Sequence, residues 1–290
     1  MGATRVPSGV RLGPLGNAVI SGARWTDPYP AWQKDADELE EALNFAKVKG
    51  QWDAYLGALQ GSNSQRDSAL MELRVAKHLE GSGFPVVSWR PVGADNNEGE
   101  YIVQGPSMQQ TFVEVKSPGW EGEVAPEERK AGRLEQPKYV DLDGRAVAPW
   151  LKIRYAVDKA YKKFRAEMPN LLVIADDLFV SLEHVTELHA GQALYSKSRA
   201  QPGYFTDARY DKLGGVGFFW LDVREQNVSY QMRLFLNPHA LGGTALPPDI
   251  QAAFREERNK GPLVGREPSA FEKWLANPSK WKSRSWRTHV

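Results

Sequence analysis

The sequence predicts an α/β domain with a mixed central sheet, extended by a helical wrapper before it and by β structure after it. Three observations predict this class. Between Ser68 and Ala175 the elements read helix, three strands, helix, strand. The last of them, Leu171-Leu-Val-Ile-Ala175, is apolar throughout, as a strand covered on both faces must be. The second helix carries one continuous apolar stripe, made by Ile153, Ala156, Val157, Ala160, Tyr161 and Phe164.

Taken in order, residues 1–24 hold Arg5, Arg11 and Arg24, many glycines and no acidic residue, and read as a loosely ordered arm. Trp32 to Leu59 places Leu39, Ala42, Leu43 and Ala46 at helical spacing and reads as a helical wrapper around the core domain. Gly61 to Gln65 reads as a linker, with Asp67 or Ser68 capping a helix that runs to Glu80 and stops at Gly81 and Gly83. Strands are expected over Phe84–Trp89, Glu100–Val103 and Thr111–Lys116, separated by Gly-, Asn- and Pro-rich turns. A long insertion, Pro118 to Pro149, precedes the second helix, Ile153 to Met168, which Pro169 should stop. Past Asp177, Gly214–Val223 and Val228–Asn237 read as a hairpin that extends the sheet or covers its edge. These breaks divide the chain into an arm and wrapper (1–62), a core (63–180), an extension with a β-hairpin (181–265) and a basic, Trp-containing tail (266–290).

Composition removes several classes of function. Lys plus Arg (37) and Asp plus Glu (36) nearly cancel, so any nucleic-acid contact must come from a local patch. With no cysteine there is neither a disulfide nor a thiolate metal site, and five histidines without ligand spacing argue against zinc. The opening residues are broken by Gly and Pro too often for a signal peptide, and no apolar run is long enough to span a bilayer. The expected location is the cytoplasm, without membrane contact. The Gly214-Gly-Val-Gly217 run lacks the Lys-Ser/Thr of a phosphate loop, and no Gly-x-Ser-x-Gly elbow occurs.

One constellation points to chemistry. In Thr111-Phe-Val-Glu-Val-Lys116, strand periodicity puts Phe112, Glu114 and Lys116 on one face, with Val113 and Val115 turned towards the core helices. A hairpin to the preceding strand brings Glu100 close to Glu114, so that two carboxylates and an ammonium converge at one sheet edge. Glu72 lies on the apolar stripe Ala69, Ala76, Leu79 of the first helix, where a charge needs a partner. Three carboxylates in contact repel and raise one another's pKa unless a divalent cation sits among them. Oxygen-only ligands suit Mg²⁺, with Mn²⁺ as substitute, bound as one ion or two. Such an ion activates water, while Lys116 positions it or stabilises developing charge, which implies phosphodiester hydrolysis.

At Glu72-Leu-Arg-Val-Ala-Lys-His-Leu79, Gly99-Glu-Tyr-Ile-Val103 and Phe112-Val-Glu-Val-Lys-Ser117 the chain resembles the PD-(D/E)XK superfamily, over about residues 66 to 177. The resemblance implies a restriction-endonuclease-like core and a metal-dependent nuclease. Glu72, Glu100 and Glu114 would be its metal ligands and Lys116 its catalytic lysine. The family's usual Pro-Asp is Gly99-Glu100 here, and Glu98 is an alternative ligand two residues earlier. A basic residue of the second helix often lies near the scissile phosphate in this family, a place open to Lys159 or Lys163. The expected substrate is DNA, with RNA an alternative, in defence, mobile-element or repair biology, with a protein partner or a second copy confining the activity.

Other readings stay open beside this one. A fold of this kind can serve as a non-catalytic module that binds nucleic acid or protein, or the carboxylates can serve a metal hydrolase acting on sugars or mononucleotides. In the tail, Lys273, Lys280, Lys282, Arg284 and Arg287 interleave with Trp274, Trp281 and Trp286, either as a single-strand-binding arm or as a basic tail docked on the domain. The mixed charges of the insertion read as a solvated helix. Asp176-Asp177 reads as a cap or turn.

Overall fold

The computed structural model describes residues 6–26, 29–30, 32–117, 149–176, 190–197, 199, 202–224 and 227–254. Residues 118–148 of the predicted insertion, Asp177 and the basic tail lie outside the described residues. Helices α1 (Pro14–Ser21), α2 (Gln33–Val48), α3 (Trp52–Leu59) and α4 (Asn63–Gly81) precede strands β1 (Val86–Trp89), β2 (Tyr101–Gln104) and β3 (Gln110–Lys116). They are followed by α5 (Pro149–Tyr161), β4 (Asn170–Asp176), the short α6 (Gly191–Tyr195), β5 (Gly215–Arg224), β6 (Asn227–Leu236) and α7 (Pro248–Phe254). From α4 to β4 the order is helix, three strands, helix, strand.

The six strands form one sheet whose spatial order is their sequence order. β1, β2 and β3 make an antiparallel meander, β4 and β5 run parallel to β3, and β6 returns antiparallel. The chain is thus an α/β protein with an open mixed sheet. The β5–β6 hairpin extends the sheet, because β5 lies directly beside β4.

Side chains alternate across the strands, and the two faces are covered by different helices. Val113, Val115, Leu171, Val173 and Ala175 pack with Met71, Val75, Ala76 and Leu79 of α4 in the main core. The other face carries Phe112, Leu172 and Ile174, covered by the stripe Ile153, Ala156, Val157, Ala160 and by Phe164, all buried. Phe112 and Phe164 meet edge to face, their ring centroids 6.3 Å apart. The wrapper closes over α4 through Leu39, Leu43 and Ala46 of α2, which pack with Ala69, Leu70 and Leu73. Across that junction a buried ion pair joins Arg74 to Glu38, and the Tyr230 hydroxyl of β6 donates to the same Glu38 at 2.5 Å.

Several boundaries differ from expectation, each for a physical reason. The arm is not loose between Pro14 and Ser21: the N–H groups of Leu15 and Gly16 donate to the Glu40 carboxylate at 3.1 and 2.7 Å, which satisfies the orphan donors of a helix N-terminus from a distant helix. The linker at Gly61 to Gln65 is the start of α4. Neither Asp67 nor Ser68 caps it; Ser62 does, and Gln65 accepts from the Ser62 N–H at 2.9 Å in a capping box. The second helix ends at Tyr161, well before Pro169. Beyond it the buried Asn170 side chain donates to the carbonyls of Arg165 (2.7 Å), Met168 (2.7 Å) and Lys212 (2.8 Å) and accepts from the Arg165 N–H (3.1 Å). These bonds stabilise a compact turn over residues 162–169 that competes with further helix.

Among the described residues no helix is long and apolar enough to cross a membrane.

Candidate functional site

The site lies where β3 ends and β2 begins. It is not at the lateral edge of the sheet, since β3 has β2 on one side and β4 on the other. Tyr101 pairs with Val113, and the Glu100 N–H donates to the Val113 carbonyl at 3.2 Å, so one step further on Glu100 stands across from Glu114. The C-terminal ends of the parallel strands β3 and β4 open here, the side of an α/β sheet where loops leave room for ligands.

Glu114 is fully buried. Its Oε1 accepts from the Lys116 ammonium and forms an ion pair with Lys163 at 2.7 Å, while its Oε2 is buried without a hydrogen-bond partner. Lys163 also faces Glu100, at 3.9 Å. Of the two candidates from the second helix, therefore, Lys163 joins the carboxylates. Lys159 is exposed and rests on the ring of Tyr155, its Nζ 4.4 Å from the centroid.

Lys163 owes its place to the loop before Glu100. The Ala94 N–H donates to the Lys163 carbonyl at 2.9 Å, and Gly93 packs so closely that a Cβ there would stand 2.4 Å from that same oxygen. At Gly99 a Cβ would stand 2.1 Å from the Phe112 ring. The lysine, Glu100 and the buried ring beneath them are thus set by close backbone approach that only glycine permits.

Glu72 enters from α4. It shares an open cleft of about 320 Å³ with Glu100, Glu98 and Lys163, whose other walls include Tyr55, Gln65, Ser68 and Arg90. Glu98 is exposed in that cleft and makes no ion pair with either lysine, whereas Glu100 does with Lys163. Glu114 and Lys116 adjoin Lys163 outside the cleft lining.

The carboxylates influence one another strongly. Burial, then the charges of Glu72 and Glu114, push Glu100 up to about 8, against the pull of Lys116 and Lys163. Glu72 is likewise raised, by burial first and then by Glu114, although Tyr55, Arg90 and Lys116 oppose the shift. The Tyr55 hydroxyl approaches the Glu72 carboxylate without completing a hydrogen bond of good geometry, and its own pKa is raised by burial and by Glu72 and Glu100. For Lys116 burial is the largest influence and would lower the pKa, but Glu114, Glu100 and Glu72 together outweigh it and hold the ammonium charged. Lys116, Lys163 and Arg90 thus only partly offset the burial and mutual repulsion that raise Glu72 and Glu100, a condition that a bound cation would relieve.

Among the described residues no three Asp, Glu or His side chains are arranged as a metal cage. The chemistry of the side chains is nevertheless that which a hard divalent ion takes, carboxylate oxygens, and Glu114 Oε2 is buried without a hydrogen-bond partner.

Sequence reasoning missed Tyr55, Gln65, Ser68 and Arg90. Tyr55 and Gln65 looked like parts of a wrapper and a linker, and nothing in the sequence relates them to β2. Arg90 had one signal, a basic residue just before Pro91 at a strand end, but its φ of 49° is seen only in the structure. No protein-family model, curated protein sequence or solved structure matches this chain.

Proposed function

We propose that the chain is a metal-dependent nuclease with a restriction-endonuclease-like core, hydrolysing phosphodiester bonds in DNA or, as an alternative polymer, RNA. The reading is supported above all by one observation: Lys163 pairs with both Glu100 and Glu114, Lys116 pairs with Glu114, and Glu72 lies within electrostatic reach of both carboxylates, next to a solvent-open cleft. Glu100, Glu72 and the orphan Oε2 of Glu114 would hold Mg²⁺ or Mn²⁺. Such an ion polarises a phosphate oxygen and lowers the pKa of a bound water.

The protein's own groups supply the rest. An ammonium has three donors. Lys116 gives one to Glu114 and keeps others for a phosphate oxygen or the attacking water. The neighbouring carboxylates favour its charged form, which suits an electrostatic stabiliser. Lys163 holds Glu114 and Glu100 together before substrate arrives. In the reaction the water oxygen would bond to phosphorus and release a proton to solvent, one P–O ester bond would break, and the departing oxygen would take a proton from solvent.

A second reading is favoured by the same ion pairs. Because Lys116 and Lys163 already neutralise part of the carboxylate charge, the cluster could be structural, in a nuclease-like module that binds nucleic acid or protein without cutting. Cleavage of supercoiled plasmid and of single-stranded DNA with Mg²⁺ or Mn²⁺ separates the two, comparing wild type with Lys116→Ala and Glu114→Ala. Metal-dependent cutting lost in both variants supports the nuclease. Absence of cutting by pure wild type, together with no Mn²⁺ binding in calorimetry, favours the module.

A further inference from the structure

Arg90 is a cation of the cleft that faces no substrate group in the hydrolysis by the carboxylates and lysines, and its charge opposes the upward shift of Glu72. Its backbone N–H donates to the Glu100 carbonyl at 2.9 Å, so it is the cross-strand neighbour of a candidate ligand, and both residues line the same cleft. The residue is exposed, and its φ of 49° is a left-handed conformation rare for a residue with a side chain. The guanidinium lies over the Tyr55 ring, 5.4 Å from its centroid. That contact uses a face of the group and leaves its N–H donors available. Among the described residues it makes no salt bridge.

Charge gives the arrangement a meaning. Glu72, Glu98 and Glu100 line the cleft and in their ionised form repel a polyanion, and among the lining residues Arg90 and Lys163 are the cations that oppose this. Lys163 is committed to Glu114 and Glu100. A cleft of about 320 Å³ is at the small end of the range for ligand sites and has room for a short piece of one strand. A planar guanidinium matches the two free oxygens of a phosphodiester, which a carboxylate-rich wall does not.

Resting on the nuclease reading, we propose that Arg90, held over Tyr55, binds the phosphate next to the one being cleaved and so positions a single strand along the cleft. Arg90 is then a substrate-positioning residue that leaves the reacting atoms to the carboxylates and Lys116.

The test uses the full chain and a fluorescent single-stranded oligonucleotide of mixed sequence. Binding is followed by anisotropy over a salt series with Ca²⁺ in place of Mg²⁺, for wild type, Arg90→Met and Arg90→Lys. Loss of one charged hydrogen-bonding contact predicts roughly ten- to hundredfold weaker binding by Arg90→Met. Its plot of log affinity against log salt should be shallower by about 0.7, the contribution of one phosphate on a single strand. Arg90→Lys should keep the wild-type slope while binding more weakly, and both variants should melt like wild type. Wild-type affinity and slope in Arg90→Met would overturn the proposal and leave the nuclease reading intact, as would weaker binding with an unchanged slope and a lowered melting temperature, which marks a structural role on Tyr55. A wild-type chain that neither binds nor cuts nucleic acid would overturn both.

Discussion

Replacing Gly99 by alanine tests whether the loop before β2 sets the position of Glu100. A Cβ at Gly99 would lie 2.1 Å from Phe112 Cζ, whereas carbon atoms rest at about 3.5 Å or more, so ring or backbone must move by about 1.4 Å. The ring cannot simply swing aside, because Phe112 is fully buried against Phe164. Overpacking of this kind costs about 1–3 kcal/mol, which urea denaturation reads as a lowered midpoint with an unchanged slope. If the strain is relieved through the backbone, Glu100 shifts with it, and on the proposed nuclease reading a displacement of about 1 Å in such a group costs on the order of a hundredfold in rate. Phe112→Leu in the Gly99→Ala background should recover part of both losses, since the two sites share one contact. A Gly99→Ala protein with wild-type stability and wild-type plasmid cleavage would refute the reasoning.

Three further outcomes are expected from the packing. Glu38→Ala strands the buried Arg74 guanidinium, and removal of one partner from a buried pair costs about 3–5 kcal/mol; guanidinium denaturation should show it, and a loss below about 1 kcal/mol would mean that the Tyr29 hydroxyl suffices as a partner for Arg74. Burial lowers His78 to about 4, where Phe219, Tyr230 and Phe254 surround it. Because its folded pKa lies below the unfolded value, stability is full above about 6.5 and falls as pH drops towards 4. The loss approaches about 3 kcal/mol at the acid end, and in stability measured across this window His78→Leu should show a flatter pH dependence than wild type. Asn170→Ala orphans carbonyls that its side chain binds, among them those of the turn that carries Lys163, and should cost about 2–4 kcal/mol by denaturation; on the proposed nuclease reading, cleavage should fall beyond what the lost stability explains.

How much of the site was legible depended on whether its geometry is local. Glu114 and Lys116 were readable because two residues along a strand share a face whatever the rest of the chain does. Glu72 was readable as a charge on an apolar helical stripe, and Glu100 as the start of the neighbouring strand. The choice between Lys159 and Lys163 was not. Lys163 stands just past the end of α5, in a turn organised by Asn170 and fastened to Ala94 by one backbone hydrogen bond. A helix continuing to Met168, as periodicity suggested, would have carried it elsewhere.

By itself the sequence determined the α/β class, the order of elements and the residues of the Glu-x-Lys strand, because hydrophobic periodicity and strand alternation are properties of neighbouring residues. Tertiary structure alone decided that Glu40 closes the start of α1, that β5 lies parallel beside β4, and that Tyr55, Arg90 and Lys163 meet around the carboxylates. Each of these joins residues far apart in the chain. Their partners are selected by burial and charge in the folded molecule, where an unpaired polar group costs more than any local preference returns.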